Sequence, residues 1–208
     1  MDKRWWVPIF VLALLASACG RKDLFNAAAD GDLRKIDHLV DLGAEVNALS
    51  PGGFSPLHLA VLNGNADAVR LLVQLGADVN KATTKGMTAL HYAIFSSRLP
   101  IAALLLEKGA QIDAMNDEGN TPLHIAADLD YLEGVNFLAD RGADLEAKNK
   151  EGRTPLHLAA KSGAVKAAAR LIERGAQVNP RDASGLTPVR LLDKPEMAAL
   201  LEAHGATK

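Results

Sequence analysis

The chain has 208 residues, 49% of them apolar, with 23 basic side chains against 25 acidic ones. The formal charge of −2 excludes a broadly basic nucleic-acid binder, and the single cysteine, Cys19, excludes an internal disulfide framework and any zinc site built from several cysteines. Aromatic residues make up only 4% of this Ala- and Leu-rich chain, a composition that favours helices over a β-sandwich or barrel.

The first 18 residues have the parts of a secretory signal. Lys3 and Arg4 precede an apolar stretch over residues 5–18, which ends in small side chains directly before Cys19. The stretch is 14 residues long, whereas a membrane-spanning helix needs roughly 20. We therefore predict a cleaved signal peptide over residues 1–18. The alternative is that the stretch stays uncleaved as a short anchor. Tryptophan fluorescence in the purified protein would support that alternative, because Trp5 and Trp6 are the only tryptophans.

The segment Leu15-Ala-Ser-Ala-Cys19 resembles the lipobox of bacterial lipoproteins, with Ala16 standing where leucine is commonest. In that family the cysteine sulfur receives a diacylglyceryl group, the signal is cut before it, and the new amine is acylated. The resemblance implies that residues 19–22 form a lipidated N-terminus and a short tether on the periplasmic side of a cell membrane. Gly20 after the cysteine favours the outer membrane. The plainer alternative is an ordinary signal peptide beside which Cys19 is incidental.

A sequence period of 33 residues fills the rest of the chain. The pattern Thr/Ser-Pro/Ala-Leu-His-x-Ala begins at Ser55, Thr88, Thr121 and Thr154, and a degraded form begins at Thr187. We divide the chain into six copies at residues 22–54, 55–87, 88–120, 121–153, 154–186 and 187–208. The first and last copies diverge from the pattern, as the end caps of a repeat array do.

These residues resemble the ankyrin repeat family, whose fingerprint is a turn, T-P-L-H-x-A, and two helices. The resemblance implies one all-α domain over residues 23–208, an ankyrin-repeat solenoid of stacked helix-turn-helix units with projecting hairpin loops. The residue types fit this fold physically. Thr121 suits a helix N-cap, Pro122 suits the first helical position, and Gly76 suits the positive φ that closes a helix.

Copies three and four depart from the pattern. Ser97 and Asp130 replace the glycine that separates the two helices in other copies, and Gly134 falls inside a predicted helix. Glycine within a helix costs about 1 kcal/mol relative to alanine. We therefore predict that these two copies are the least stable part of the array.

The four histidines of the pattern raise the question of metal binding or general-base catalysis. Stacked helices lie ~8–10 Å apart, whereas every zinc ligand lies within about 2.1 Å of the ion. We therefore expect a structural role at the helix starts for the histidines and for the threonines before them: His58, His91, His124, His157, Thr88, Thr121 and Thr154. We predict no metal site, no cofactor and no catalytic residue.

Ankyrin proteins usually bind partners on their concave face, at hairpin tips and the exposed side of the first helix. Among residues at matching positions, Phe54, Leu62, Met87 and Phe95 are apolar where exposure is expected. Exposed apolar groups often mark a binding site, although these four could instead pack together and stiffen the array. The candidate partner-binding set is completed by Asp117, Glu118, Asn120, Asp128, Leu129, Arg153 and Lys161.

The sequence thus predicts a monomeric, lipid-anchored ankyrin-repeat protein that binds an unidentified protein of the bacterial envelope as a scaffold, protector or inhibitor. No catalysis and no nucleic-acid binding are expected. The alternative is a periplasmic enzyme or small-ligand binder built on the same scaffold. A deep polar pocket that combines histidine and carboxylate groups would favour that alternative, and a shallow groove with exposed apolar residues would favour protein binding.

Overall fold

The computed structural model describes residues 23–191 and 195–207. The predicted signal peptide, Cys19 and the tether lie outside the described residues. The chain divides into two compact units, one ending at Thr84 and the other beginning at Lys85.

The first unit contains two pairs of helices, α1 over residues 23–30, α2 (Leu33–Asp41), α3 (Pro56–Asn63) and α4 (Ala66–Gln74). Helix α4 packs against both α2 and α3. Fully buried leucine and isoleucine side chains, with the small residue Ala60, form the core between these helices. The Asn65 amide joins the two pairs, because its Nδ2 donates to the Ala29 carbonyl at 2.7 Å.

The second unit continues the same pairing. Its helices are α5 (Ala89–Phe95), α6 (Leu99–Glu107), α7 (Pro122–Asp128), α8 (Leu132–Ala139), α9 (Pro155–Ser162), α10 (Val165–Glu173) and α11 (Pro195–Ala203). The first helices of successive pairs pack together, α5 on α7 and α7 on α9, and α8 packs on α10. Alanines such as Ala93, Ala126 and Ala159 are fully buried, and their small side chains allow this close stacking.

The last copy differs from the others at its first helix. The pattern His-x-Ala is replaced there by Arg190 and two leucines. Among the residues that the structure describes up to Leu191, a 3₁₀ turn, Pro188–Arg190, takes the place of this helix.

Helix ends follow the predicted chemistry. Ser55, Thr88, Thr121 and Thr154 are N-caps in extended conformation, as expected of hydroxyl residues. The turn after α9 is closed by Gly163 with a φ of 66°, and Ser97 and Asp130 adopt the same left-handed conformation with φ of 55° and 51°. All regular elements of the described residues are helical, which confirms the predicted all-α repeat fold. None of the described helices has both the length and the hydropathy for a bilayer crossing.

Candidate functional site

All four pattern histidines are buried at helix starts, His58 in the first unit and His91, His124 and His157 in the second. In the fourth copy, the Thr121 N–H donates to His124 Nδ1 at 3.2 Å, and His124 Nε2 lies 2.9 Å from the Arg153 carbonyl. Because Nδ1 accepts a hydrogen bond, the proton resides on Nε2, which donates to that carbonyl. His91 and His157 make the same two contacts, to Thr88 and Asn120 and to Thr154 and Leu186.

This geometry keeps the histidines neutral. Burial lowers the pKa of His91, His124 and His157, and the hydrogen bond to a carbonyl opposes this only in part. Both ring nitrogens of each of the three are engaged with backbone groups, so neither is available as a general base. Among the described residues, no three His, Cys, Asp or Glu side chains come together as a set of metal ligands.

The hairpin loops of the second unit are held in place by two kinds of hydrogen bond. Within a loop, Asn116 Oδ1 accepts the N–H groups of Glu118 and Asn120, both at 2.9 Å. Between loops, the Asp117 N–H donates to the Lys85 carbonyl at 3.1 Å, and the Lys150 N–H donates to the Glu118 carbonyl at 3.0 Å. The side chains at the loop tips are therefore presented from fixed backbone positions.

Glycine at the loop tips permits this spacing. Gly119 has a φ of 78°, and a Cβ added to it would lie 2.7 Å from the Lys150 backbone nitrogen. Any other residue would push the neighbouring loop away. Glycine at position 119 is therefore required by the close approach of these two loops.

A groove of about 570 Å³ lies along the second unit between the loop tips and the first helices. Phe95, at the end of α5, is 55% exposed, and Leu129, just after α7, is 46% exposed, so the groove is open to solvent. Its lining consists of Lys85, Met87, Tyr92, Phe95, Asn116, Asp117, Glu118, Asn120, His124, Ile125, Asp128, Leu129 and Leu158. The structure thus brings together seven of the residues predicted to contact a partner.

Sequence reasoning missed part of the floor of this groove. Tyr92, Ile125 and Leu158 line it, and each occupies the variable position x of the pattern T-P-L-H-x-A. This position lies one helical turn before the residues that were considered, such as Phe95 and Asp128, and so shares their helix face. The variable position of the pattern was the signal that could have identified these three residues.

The rim of the groove is acidic. Asp117 and Glu118 lie at a loop tip and Asp128 ends α7, and all three are exposed. Within the described part of the chain, none of these carboxylates lies within ion-pair distance of a lysine or arginine. Asp128 accepts a hydrogen bond from the Ser162 hydroxyl, and Glu118 accepts one from the Asn120 amide at 3.0 Å.

A second, more polar cavity of about 490 Å³ adjoins the groove and shares the three carboxylates with it. Lys150, Glu151 and Lys161 also line it. The cavity therefore carries charges of both signs, whereas the rim of the groove is acidic.

The remaining predicted contact residues lie elsewhere or have other partners. Phe54 and Leu62 belong to the first unit, where both are half-buried and the Phe54 ring meets His58 edge-on with 6.2 Å between centroids. Arg153 was expected to be available for contact with a partner. Its side chain is instead only 17% exposed and forms ion pairs with Glu151 and Asp182. Sequence alone could not identify Asp182 as a partner, since it is 29 residues away.

The comparison with protein families identifies the repeat. The family described as ankyrin repeats (3 copies) matches residues 24–116 and 111–182. The comparison with curated proteins found no match. The match covers most of the chain and agrees with the paired helices, the capped helix starts and the stacked loops, and the protein therefore belongs to the ankyrin-repeat family.

Proposed function

We propose that this protein is a lipid-anchored ankyrin-repeat protein of the bacterial cell envelope that binds another protein through the groove of its second unit and performs no catalysis. Ankyrin repeats are in general protein-interaction scaffolds. The observation that carries the proposal is the open groove, in which exposed Phe95 and Leu129 stand beside unpaired carboxylates on a backbone fixed by loop-to-loop hydrogen bonds. A preformed surface of this kind loses little conformational freedom on binding.

The groove also bears on the alternative of an enzyme or small-ligand binder. A histidine and three carboxylates do line it, but both nitrogens of His124 are engaged by backbone groups. An open cleft with exposed aromatic and aliphatic residues suits contact with a protein surface better than enclosure of a small molecule.

The proposed location of the protein is argued from the sequence of its first 22 residues. The lipobox-like segment ending at Cys19 supports lipidation, and Gly20 supports sorting to the outer membrane. Growth in labelled palmitate tests the anchor, and we expect label in the wild type and none in Cys19→Ser. Label that persists in Cys19→Ser would contradict lipidation at this cysteine.

Crosslinking in intact envelopes tests the binding function. We expect a crosslinked protein to be captured by the wild type and lost from Phe95→Glu/Leu129→Glu. Leu42→Glu is the matched control, since Leu42 is a 71% exposed apolar residue of the first unit. Capture unaffected by the double substitution, or equally reduced by Leu42→Glu, would exclude the groove as the binding site.

A further inference from the structure

The groove has an apolar lining shared by several copies. Met87, Phe95 and Leu129 come from the second, third and fourth copies, and Tyr92, Ile125 and Leu158 form the floor. This lining provides contact for a large apolar side chain.

The carboxylates of the groove lie beside this apolar lining. Asp117, Glu118 and Asp128 line both the groove and the adjoining polar cavity. Lys85 is the one basic side chain among the residues that line the groove itself, so its lining carries three negative charges against one positive.

The buried histidine of the groove does not offset this charge. Burial lowers the pKa of His124, so its ring is neutral at neutral pH. The carboxylates are also not neutralised internally, because their hydrogen bonds come from the uncharged Ser162 hydroxyl and Asn120 amide. Unpaired carboxylates on a fixed backbone attract a cationic group and orient it.

The adjoining cavity has a mixed charge. Lys150 and Lys161 line it together with Glu151 and the three carboxylates of the groove. A matching segment therefore needs its positive charge close to its apolar side chain, where the carboxylates of the groove lie.

We propose that the groove of the second unit binds a polypeptide segment in which a lysine or arginine lies within two residues, on either side, of one large apolar side chain. The apolar side chain packs on Met87, Phe95 and Leu129, and the basic group meets Asp117, Glu118 and Asp128. This inference rests on the proposed function, since it names the partner chemistry of the same groove.

Selection from a random dodecapeptide library displayed on phage tests this proposal, with the purified full chain in detergent as bait. The comparison bait is Asp117→Asn/Glu118→Gln/Asp128→Asn, which keeps the shape of the side chains and removes their charge. The control bait is Asp30→Asn/Asp37→Asn/Asp41→Asn, which removes three exposed carboxylates of the first unit.

We expect the peptides enriched on the wild type to carry lysine or arginine within two residues of an aromatic or large aliphatic residue. The best of them, as a synthetic peptide, should bind at least tenfold more weakly to the groove variant and equally well to the control. Replacing its basic residue by glutamate should weaken binding by a similar factor. Absence of enrichment over the groove variant, or enrichment without a basic residue near the apolar one, would each overturn the proposal.

The envelope crosslinking separates this inference from the proposed function. If a protein is captured through Phe95 and Leu129 but the selected peptides show no basic preference, the groove binds a protein of different chemistry and only the inference fails. If capture does not depend on Phe95 and Leu129, the proposed function itself fails.

Discussion

The turns between paired helices in the second unit reach one backbone conformation by different means. After α9 the turn residue is Gly163, with a φ of 66°, and after α7 it is Asp130, with a φ of 51°. Glycine adopts this left-handed conformation without steric cost, whereas aspartate carries a Cβ there. The difference raises the question of what the aspartate contributes in return.

Asp130 caps the helix of the next copy. Its Oδ1 accepts the Ala167 N–H at 2.8 Å, at the start of α10. The N-cap residue of that helix is Ala164, which has no side-chain oxygen and makes no cap hydrogen bond. The irregular residue of one copy thus supplies the cap that its neighbour lacks. The expected lower stability of copies three and four stays a prediction, which amide exchange of α5 to α8 against α9 and α10 would test.

The largest expected effect comes from removing this cap. Asp130→Ala should lower the free energy of unfolding by about 2–3 kcal/mol, because alanine lacks the acceptor and is strained at positive φ. Asp130→Gly should cost only about 1 kcal/mol, since glycine relieves the strain and loses only the cap. Chemical denaturation measures both values. Equal effects of the two substitutions would show that the positive φ costs alanine nothing here, and no effect of Asp130→Gly would show that the bond to Ala167 carries no stability.

The glycine inside α8 provides the second test. A Cβ at Gly134 would lie 2.4 Å from Tyr131 Cδ1, so the tyrosine ring covers the space that a side chain would need. Glycine to alanine in a helix normally stabilises by about 1 kcal/mol. Here we expect Gly134→Ala to destabilise by about 1–2 kcal/mol, because the overlap outweighs that gain.

The double variant isolates the cause. In a Tyr131→Ala background, Gly134→Ala should stabilise by about 1 kcal/mol, as in an ordinary helix. If Gly134→Ala destabilises equally in both backgrounds, the ring of Tyr131 is not the reason for the glycine.

A smaller effect on stability is expected from side-chain hydrogen bonds that join successive copies just after their second helices. Asn179 Nδ2 donates to the Gly205 carbonyl at 2.9 Å, and its Oδ1 accepts the Thr207 N–H at 2.8 Å. The equivalent Asp113 accepts the Asp144 N–H at 3.1 Å, but an ionised carboxylate has no proton to donate. Asp113→Asn should therefore stabilise by about 0.5 kcal/mol, since the site is partly solvated. Asn179→Asp should destabilise by a similar amount. Destabilisation by Asp113→Asn, or stabilisation by Asn179→Asp, would contradict this explanation.

The smallest effect is the pH dependence of the stability gained by Asp113→Asn. Burial raises the pKa of Asp113 above its ordinary value of 3.8, and the neighbouring Asp144 carboxylate adds to this despite the Asp144 N–H hydrogen bond. The folded protein therefore takes up the proton at a higher pH than the unfolded chain, and protonation stabilises it as the pH falls towards 3.8. The advantage of Asp113→Asn at pH 7 should thus shrink at about pH 4. An advantage that stays constant over this range would show that the charge of Asp113 is not its cause.

The sequence allowed prediction of the features that depend on local chemistry. The capped helix starts, the pattern histidines and the left-handed turn residues all follow from residue types within one copy. Contacts across copies could not be predicted, because the ion pair of Arg153 with Asp182 and the cap from Asp130 to Ala167 depend on how copies stack. The groove was predicted in part. Its exposed rim was recognised from variation between copies, and its floor at Tyr92, Ile125 and Leu158 was not.

Photocrosslinking in intact cells tests the central claim of a protein-binding groove most directly. A photoreactive amino acid is placed at Phe95 in the groove and, in a separate protein, at Leu42 in the first unit. We predict a discrete crosslinked protein from position 95, lost when Asp117, Glu118 and Asp128 are neutralised, and none from position 42. Crosslinks of equal yield from both positions, or none from position 95, would contradict the account.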